Sequence, residues 1–133
     1  MGESDATRTW PTFFPEDVPP HTAAAASGVA FRLVDSNPPT APDFKSTFEE
    51  YPNRRFGGEL WKACAASLYT QRSDSDRTRR RYKKLRNKMI ASGELHAGLG
   101  VMLATPSSGS GSHLSVWFYR EAQPHLEFRV LER

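Results

Sequence analysis

A single cysteine, Cys64, in 133 residues leaves the chain without an intrachain disulfide. That absence removes the disulfide-stapled class of small secreted domain and points to a reducing cytoplasm. Long apolar runs are missing too. None approaches the roughly 18–20 residues that cross a bilayer, so no membrane-spanning helix is expected. The segment from Met1 to Trp10 lacks the basic and apolar regions of a secretory leader. His21, His96, His113 and His125 are scattered, Cys64 has no nearby His or Cys, and no CxxC or HExxH pattern occurs. No bound metal is expected from such a set. A GxxxxGK phosphate loop is also absent. Gly109 and Gly111 sit in a Ser/Gly-rich tip with no helix behind it, so a backbone phosphate nest is not expected there.

What remains is an ordinary globular composition, 38% hydrophobic, 25% charged and 11% aromatic. The length is that of one domain able to bury a core without staples. The net charge of +3 conceals a strong segregation. Residues 1–52 carry three basic side chains against eight acidic ones, whereas residues 53–93 carry twelve against three. Either an acidic face docks on a basic face within the molecule, or a basic surface is kept for an anionic partner.

Residues 1–28 form a Pro/Ala-rich arm, with Pro11, Pro15, Pro19 and Pro20 opposing regular structure. Trp10, Phe13 and Phe14 are expected to pin that arm onto a domain spanning 29–133, self-association being the alternative. Val29–Val34 reads as the first strand. A short helix is expected over 41–50, started by Thr40 with Asp43 and burying Phe44 and Phe48 at i and i+4. A further short helix is expected over Leu60–Ala66, then a strand over Ser67–Thr70. Strands are also expected at Ile90–Leu95, Gly100–Thr105, Ser115–Tyr119 and, from its period-two alternation, Leu126–Leu131. The fold class is therefore α+β, with a mixed or antiparallel sheet of about five to six short strands and two or three helices, one of them strongly basic.

That basic helix is expected at about Ser73–Met89. Residues 77–88 hold eight Lys or Arg, and Tyr82, Leu85 and Met89 would form its buried stripe. Arg79, Arg80, Lys83 and Lys84 would share one face, with Arg77, Arg81, Arg86 and Lys88 around it. Such a cluster suits a phosphate-bearing macromolecule. A solvated face, or pairing with the acidic first third, accounts for the same charges. Cys64 reads as a small apolar core residue, with a Cys64–His113 nucleophile as the alternative.

One ordered set of residues goes further. Arg32 lies inside the first strand. The small-residue segment Ala65–Thr70 leads into a strand carrying Ser67 and Tyr69, and a helix follows it. Late segments bring His113, Ser115 and Glu127. This order resembles the small ADP-ribosyltransferase-like domains in their Arg–Ser–Glu arrangement. The resemblance spans about residues 29–132. It implies NAD as cofactor, with Arg32 holding the dinucleotide, Ser67 orienting its nicotinamide half and Glu127 positioning the ribose and acceptor. Tyr69 and His113 would join Arg32 around the cofactor. The chain departs from the family where ASLYT replaces Ser-Thr-Ser and where no Glu-x-Glu pair precedes the last strand; Glu121 is the other candidate carboxylate. The rival reading is a non-enzymatic module whose basic helix contacts nucleic acid or an acidic protein.

Overall fold

A computed structural model describes residues 8–131. The fold is α+β, built on one seven-stranded antiparallel sheet. Its strands are β1 (Ala24–Ala25), β2 (Gly28–Val34), β3 (Ala66–Tyr69), β4 (Met89–Leu95), β5 (Gly100–Ala104), β6 (His113–Phe118) and β7 (Phe128–Val130). They lie in the order β1-β5-β6-β3-β2-β4-β7. Three helices accompany them: α1 (Thr47–Glu50), α2 (Leu60–Ala63) and α3 (Arg72–Arg81). The strand count exceeds the expected five to six because two residues of the arm, Ala24 and Ala25, pair with Met102 and Val101.

Alternation along the strands divides the side chains between two faces. Ala30 and Val34 of β2, Ala66 and Leu68 of β3, and Leu114 and Val116 of β6 point to one core, where Phe44 and Phe128 join them. The opposite face carries Trp117, Val101 and Leu103, covered by Trp61, Cys64 and Val18. The arm belongs to this second layer. Trp10 stacks on Tyr119 at 4.4 Å between ring centroids, and Phe13 stacks on Phe48 at 4.9 Å. Gly93 lets β7 close on β4, since a Cβ there would collide with the Glu127 carbonyl and the Phe128 ring.

Three expected elements differ from the observed ones. The helix over 41–50 is two pieces, a 3₁₀ turn at Ala41–Phe44 and α1. Asp43 accepts from the backbone of both Thr40 and Asp35 (2.8 and 2.7 Å), and Ser46 caps α1 by accepting from Glu49 N. Phe44 and Phe48 therefore do not share a stripe: Phe44 enters the first core and Phe48 meets the arm. The strand expected over Leu126–Leu131 shortens to β7, because Pro124 opens a 3₁₀ turn that runs to Glu127 and leaves Leu126 exposed.

The basic helix is the third difference. It ends at Arg81, and Tyr82 is extended at φ −109°, ψ 120°. Lys83–Leu85 is a separate 3₁₀ turn, Tyr82 is exposed, and Met89 pairs with Val34 in the sheet. The expected Tyr82–Leu85–Met89 stripe does not form. Like charges three and four apart weaken the helix beyond Arg81, and sheet pairing of Met89 offers the better burial.

Arg32 occupies the first core. Its side chain shares the face of Ala30 and Val34 and lies 5.9 Å from the Phe44 ring. All three nitrogen positions are engaged: Nε donates to Asp43 O at 3.0 Å, Nη1 to Ser67 O at 2.8 Å and Nη2 to Lys45 O at 2.9 Å. Burial lowers its pKa from the ordinary arginine value, with Glu50 foremost among the nearby charges that oppose the shift. Arg32→Ala would leave three interior carbonyls without a donor. It is expected to cost about 3–5 kcal/mol, as when one partner is removed from a buried charged network. Urea denaturation of the two proteins checks this, and a loss under about 1 kcal/mol would show that Arg32 is not structural.

Candidate functional site

The second face of the sheet has a polar stretch between the α2 end and α3. It arises from register. Ser67 pairs with Ser115 and Tyr69 with His113 across β3 and β6, so all four side chains stand on the face away from the first core. Ser67 and His113 line a cleft of about 270 Å³ together with Thr47, Glu59 and Lys62. Tyr69 meets the His113 ring edge-on at 5.5 Å.

His113 is held by Thr105 through its Nδ1, 3.1 Å from the Thr105 carbonyl and 2.9 Å from the hydroxyl. A carbonyl only accepts, so Nδ1 carries the proton and Nε2 is left as an acceptor. Thr105 Oγ1 lies 2.8 Å from Ser115 Oγ, which extends the chain of hydrogen bonds beneath the cleft. Burial lowers the His113 pKa below 6.5, its hydrogen bond to Thr105 opposes that, and Lys62 adds to the lowering. Burial and Lys62 both favour the neutral imidazole.

Beyond His113 and Ser107 the cleft continues into a second pocket, of about 100 Å³, between α3 and the Ser/Gly tip. Arg77, Arg81 and Tyr82 form one wall and Ser108–Ser110 the other. Asp74, buried in the first turn of α3, ties the tip down. Its carboxylate accepts from Ser112 N at 3.0 Å and from Arg77 Nη1 at 2.6 Å, and Arg77 also reaches Gly109 O at 3.2 Å. Hydrogen bonds from Ser112, with Arg77 beside them, hold Asp74 below the usual carboxylate range. Gly109 takes the left-handed φ of +83°, and its backbone lies close against the Arg81 guanidinium.

Of the residues singled out in the sequence, Ser67 and His113 line this cleft, and Tyr69, against the His113 ring, lines the neighbouring pocket. Arg32 and Glu127 do not join them. The Arg32 side chain lies on the opposite face, and it touches only the carbonyl of Ser67. Glu127 ends the 3₁₀ turn before β7, at the outer edge of the sheet, where it sits 3.6 Å from His96. Strands β2 and β4 separate it from β3. Glu121 clamps the arm by accepting from the backbone and hydroxyl of Thr9, which lowers its pKa.

The anion set divides as well. Arg79 donates to Asp76 at 2.6 Å and to Lys88 O at 3.1 Å, whereas Arg80 shares Asp76 but stays 74% exposed. Lys83 and Lys84 lie past the end of α3, and Lys84 bonds to Tyr51 Oη at 2.8 Å. One ion pair, Lys88–Asp35 at 2.9 Å, joins the basic segment to the acidic third. Among the described residues no group of His, Cys, Asp and Glu is placed to hold a metal. Cys64 is buried in the second layer, where burial and then Glu49 push its thiol up to about 11.

Thr105 carries no site signal in the sequence, and Arg77 and Arg81 stand there only as neighbours of the Arg79–Lys84 face. The alternation His113-x-Ser115-x-Trp117 did carry a signal that His113 and Ser115 share a face. Nothing local marks Arg77 and Arg81 out from their six basic neighbours. No protein-family model, curated protein or solved structure matches the chain.

Two outcomes are expected. Because the folded state holds His113 neutral with a lowered pKa, its contribution is complete above pH 6.5 and is lost as pH falls from there toward the folded value. Thermal denaturation at pH 7 and pH 5 should show a larger drop for the native chain than for His113→Gln; equal drops contradict the assignment. Cys64 should resist a disulfide-exchange reagent at pH 8 in the folded protein and react at once in denaturant, since little thiolate exists when the pKa is about 11.

Proposed function

We propose that the chain is a nucleotide-binding domain of ADP-ribosyltransferase-like type that takes NAD or a related nucleotide in this cleft without the Arg–Ser–Glu transfer chemistry. The observation that carries the reading is the convergence of Ser67, Tyr69 and His113 from two paired strands beside the cationic edge of α3. A nucleotide needs hydroxyl and acceptor groups for its ribose and amide, an aromatic surface for a ring and cations for its phosphates. The cleft has one of each. Ser67 supplies a hydroxyl, the Nε2 of neutral His113 accepts from a ribose or amide donor, Tyr69 gives an aromatic edge, and Arg81 faces the anion. Arg32 serves the core and Glu127 the sheet edge, so neither contributes to a reaction at Ser67.

The other reading, a basic surface for nucleic acid, is favoured by one observation: Arg80 remains 74% exposed although paired with Asp76. Calorimetric titration separates the two. NAD or ADP-ribose should bind the native chain, at least tenfold more weakly after His113→Ala, which corresponds to about 1.4 kcal/mol. Binding should be unchanged by Arg80→Gln. Absence of any binding at millimolar NAD, with duplex DNA or RNA bound in a steeply salt-dependent way that Arg80→Gln weakens, would replace the nucleotide reading with the nucleic-acid one.

A further inference from the structure

Resting on the nucleotide-cleft reading, we infer that the small pocket between α3 and the Ser/Gly tip is a phosphate subsite, built for one phosphate group of a nucleotide with Arg81 and Ser110 as its donors. Ser110 is only 8% exposed, lines this pocket, and its hydroxyl has no hydrogen-bond partner among the described residues. A buried hydroxyl left in that state destabilises the fold unless something accepts from it. Its own backbone is already engaged: Ser107 and Ser110 bond to each other in both directions, N–H to C=O, at 3.1 and 3.0 Å, and Ser110 O also accepts from His113 N at 3.3 Å. The unmet group is therefore the side-chain O–H, which donates.

Arg81 faces the same space. Its guanidinium lies 5.4 Å from the Tyr82 ring centre, and no carboxylate pairs with it among the described residues. Arg77, by contrast, is tied to Asp74 and Gly109 O, which makes it part of the frame. A planar cationic fork and a hydroxyl donor converging on about 100 Å³ match the oxygens of one phosphate group. The space adjoins the Ser67–His113 cleft through His113 and Ser107. A nucleoside part seated there would place an attached phosphate against Arg81 and Ser110. The same donors serve a free phosphate ion and a nucleoside monophosphate.

The test is an amide-resolved NMR titration of the full chain with inorganic phosphate, against sodium chloride at matched ionic strength, and then with AMP and adenosine. Phosphate should move the signals of Gly109, Ser110 and Arg81 saturably where chloride does not. Arg81→Gln should weaken phosphate about tenfold, the scale of one lost charge-assisted hydrogen bond, and Ser110→Ala should weaken it by a smaller factor. AMP should bind more tightly than adenosine, and Arg81→Gln should remove that advantage while leaving adenosine unchanged. Equal shifts in chloride, shifts spread over Arg80 and Lys83, or a phosphate affinity indifferent to both variants would overturn the subsite. Those results leave the cleft intact if NAD still binds in a His113-dependent way. Saturable, Arg81-dependent phosphate binding without any nucleotide binding would keep the subsite and reject the cleft.

Discussion

The guanidinium of Arg32 ties β2 to the 43–45 segment and to β3, where strand pairing is slight. Between β2 and β3 the ladder is brief, with Phe31 opposite Tyr69, and the chain around Asp43, Lys45 and Ser67 enters the interior with its carbonyls turned inward. Interior carbonyls require donors, and sheet and helix are the usual source. Here one planar cation supplies all three, at distances of 2.8 to 3.0 Å. The start of α1 and the entry to β3 are both set by that arrangement, and the orientation of Ser67 follows from the second.

The cleft depends on that position through register. With β3 placed, its pairing with β6 puts Ser67 against Ser115 and Tyr69 against His113. The period of two then sends these side chains to the second face, while Leu68 and Leu114 fill the first core. Helix α3 leaves β3 directly, and Asp74 in its first turn captures the Ser/Gly tip before β6. The Ser/Gly tip thus gains a fixed place against Arg77 and Arg81. The buried carboxylate of Asp74, satisfied by two donors, joins helix and tip into one wall.

Half of the basic side chains between residues 77 and 88 are held in ion pairs. Asp76 serves Arg79 and Arg80, Asp74 serves Arg77, and Lys88 reaches Asp35. Pairs three and four residues apart on an exposed helix add little stability, but they do decide which cations remain available. Arg81 faces the cleft because the helix stops there. One more turn of helix would have carried the following residues out over a surface with no apolar stripe to bury.

Much of the fold was legible in the chain itself. The α+β class, the strands around Arg32, Ser67 and Ile90, and the capping by Thr40 and Asp43 all follow from local pattern, because alternation and capping are short-range physics. The order along the chain grouped Ser67, Tyr69 and His113 only with Arg32 and Glu127, and the fold sets those two elsewhere. Tertiary structure alone decided three things. Arg32, polar and inside a strand, reads equally well as a ligand-binding or an interior residue until the three carbonyls are known, and those come from segments up to 35 residues away. Glu127 fits an alternating strand until Pro124 turns the chain, and its distance from Ser67 depends on a strand order no local pattern contains. Among eight basic residues, the two that line the pocket against the Ser/Gly tip are distinguished by where the helix ends and which loop lies against it. Local sequence determined the elements; long-range pairing and the need to satisfy buried polar groups determined which side chains meet.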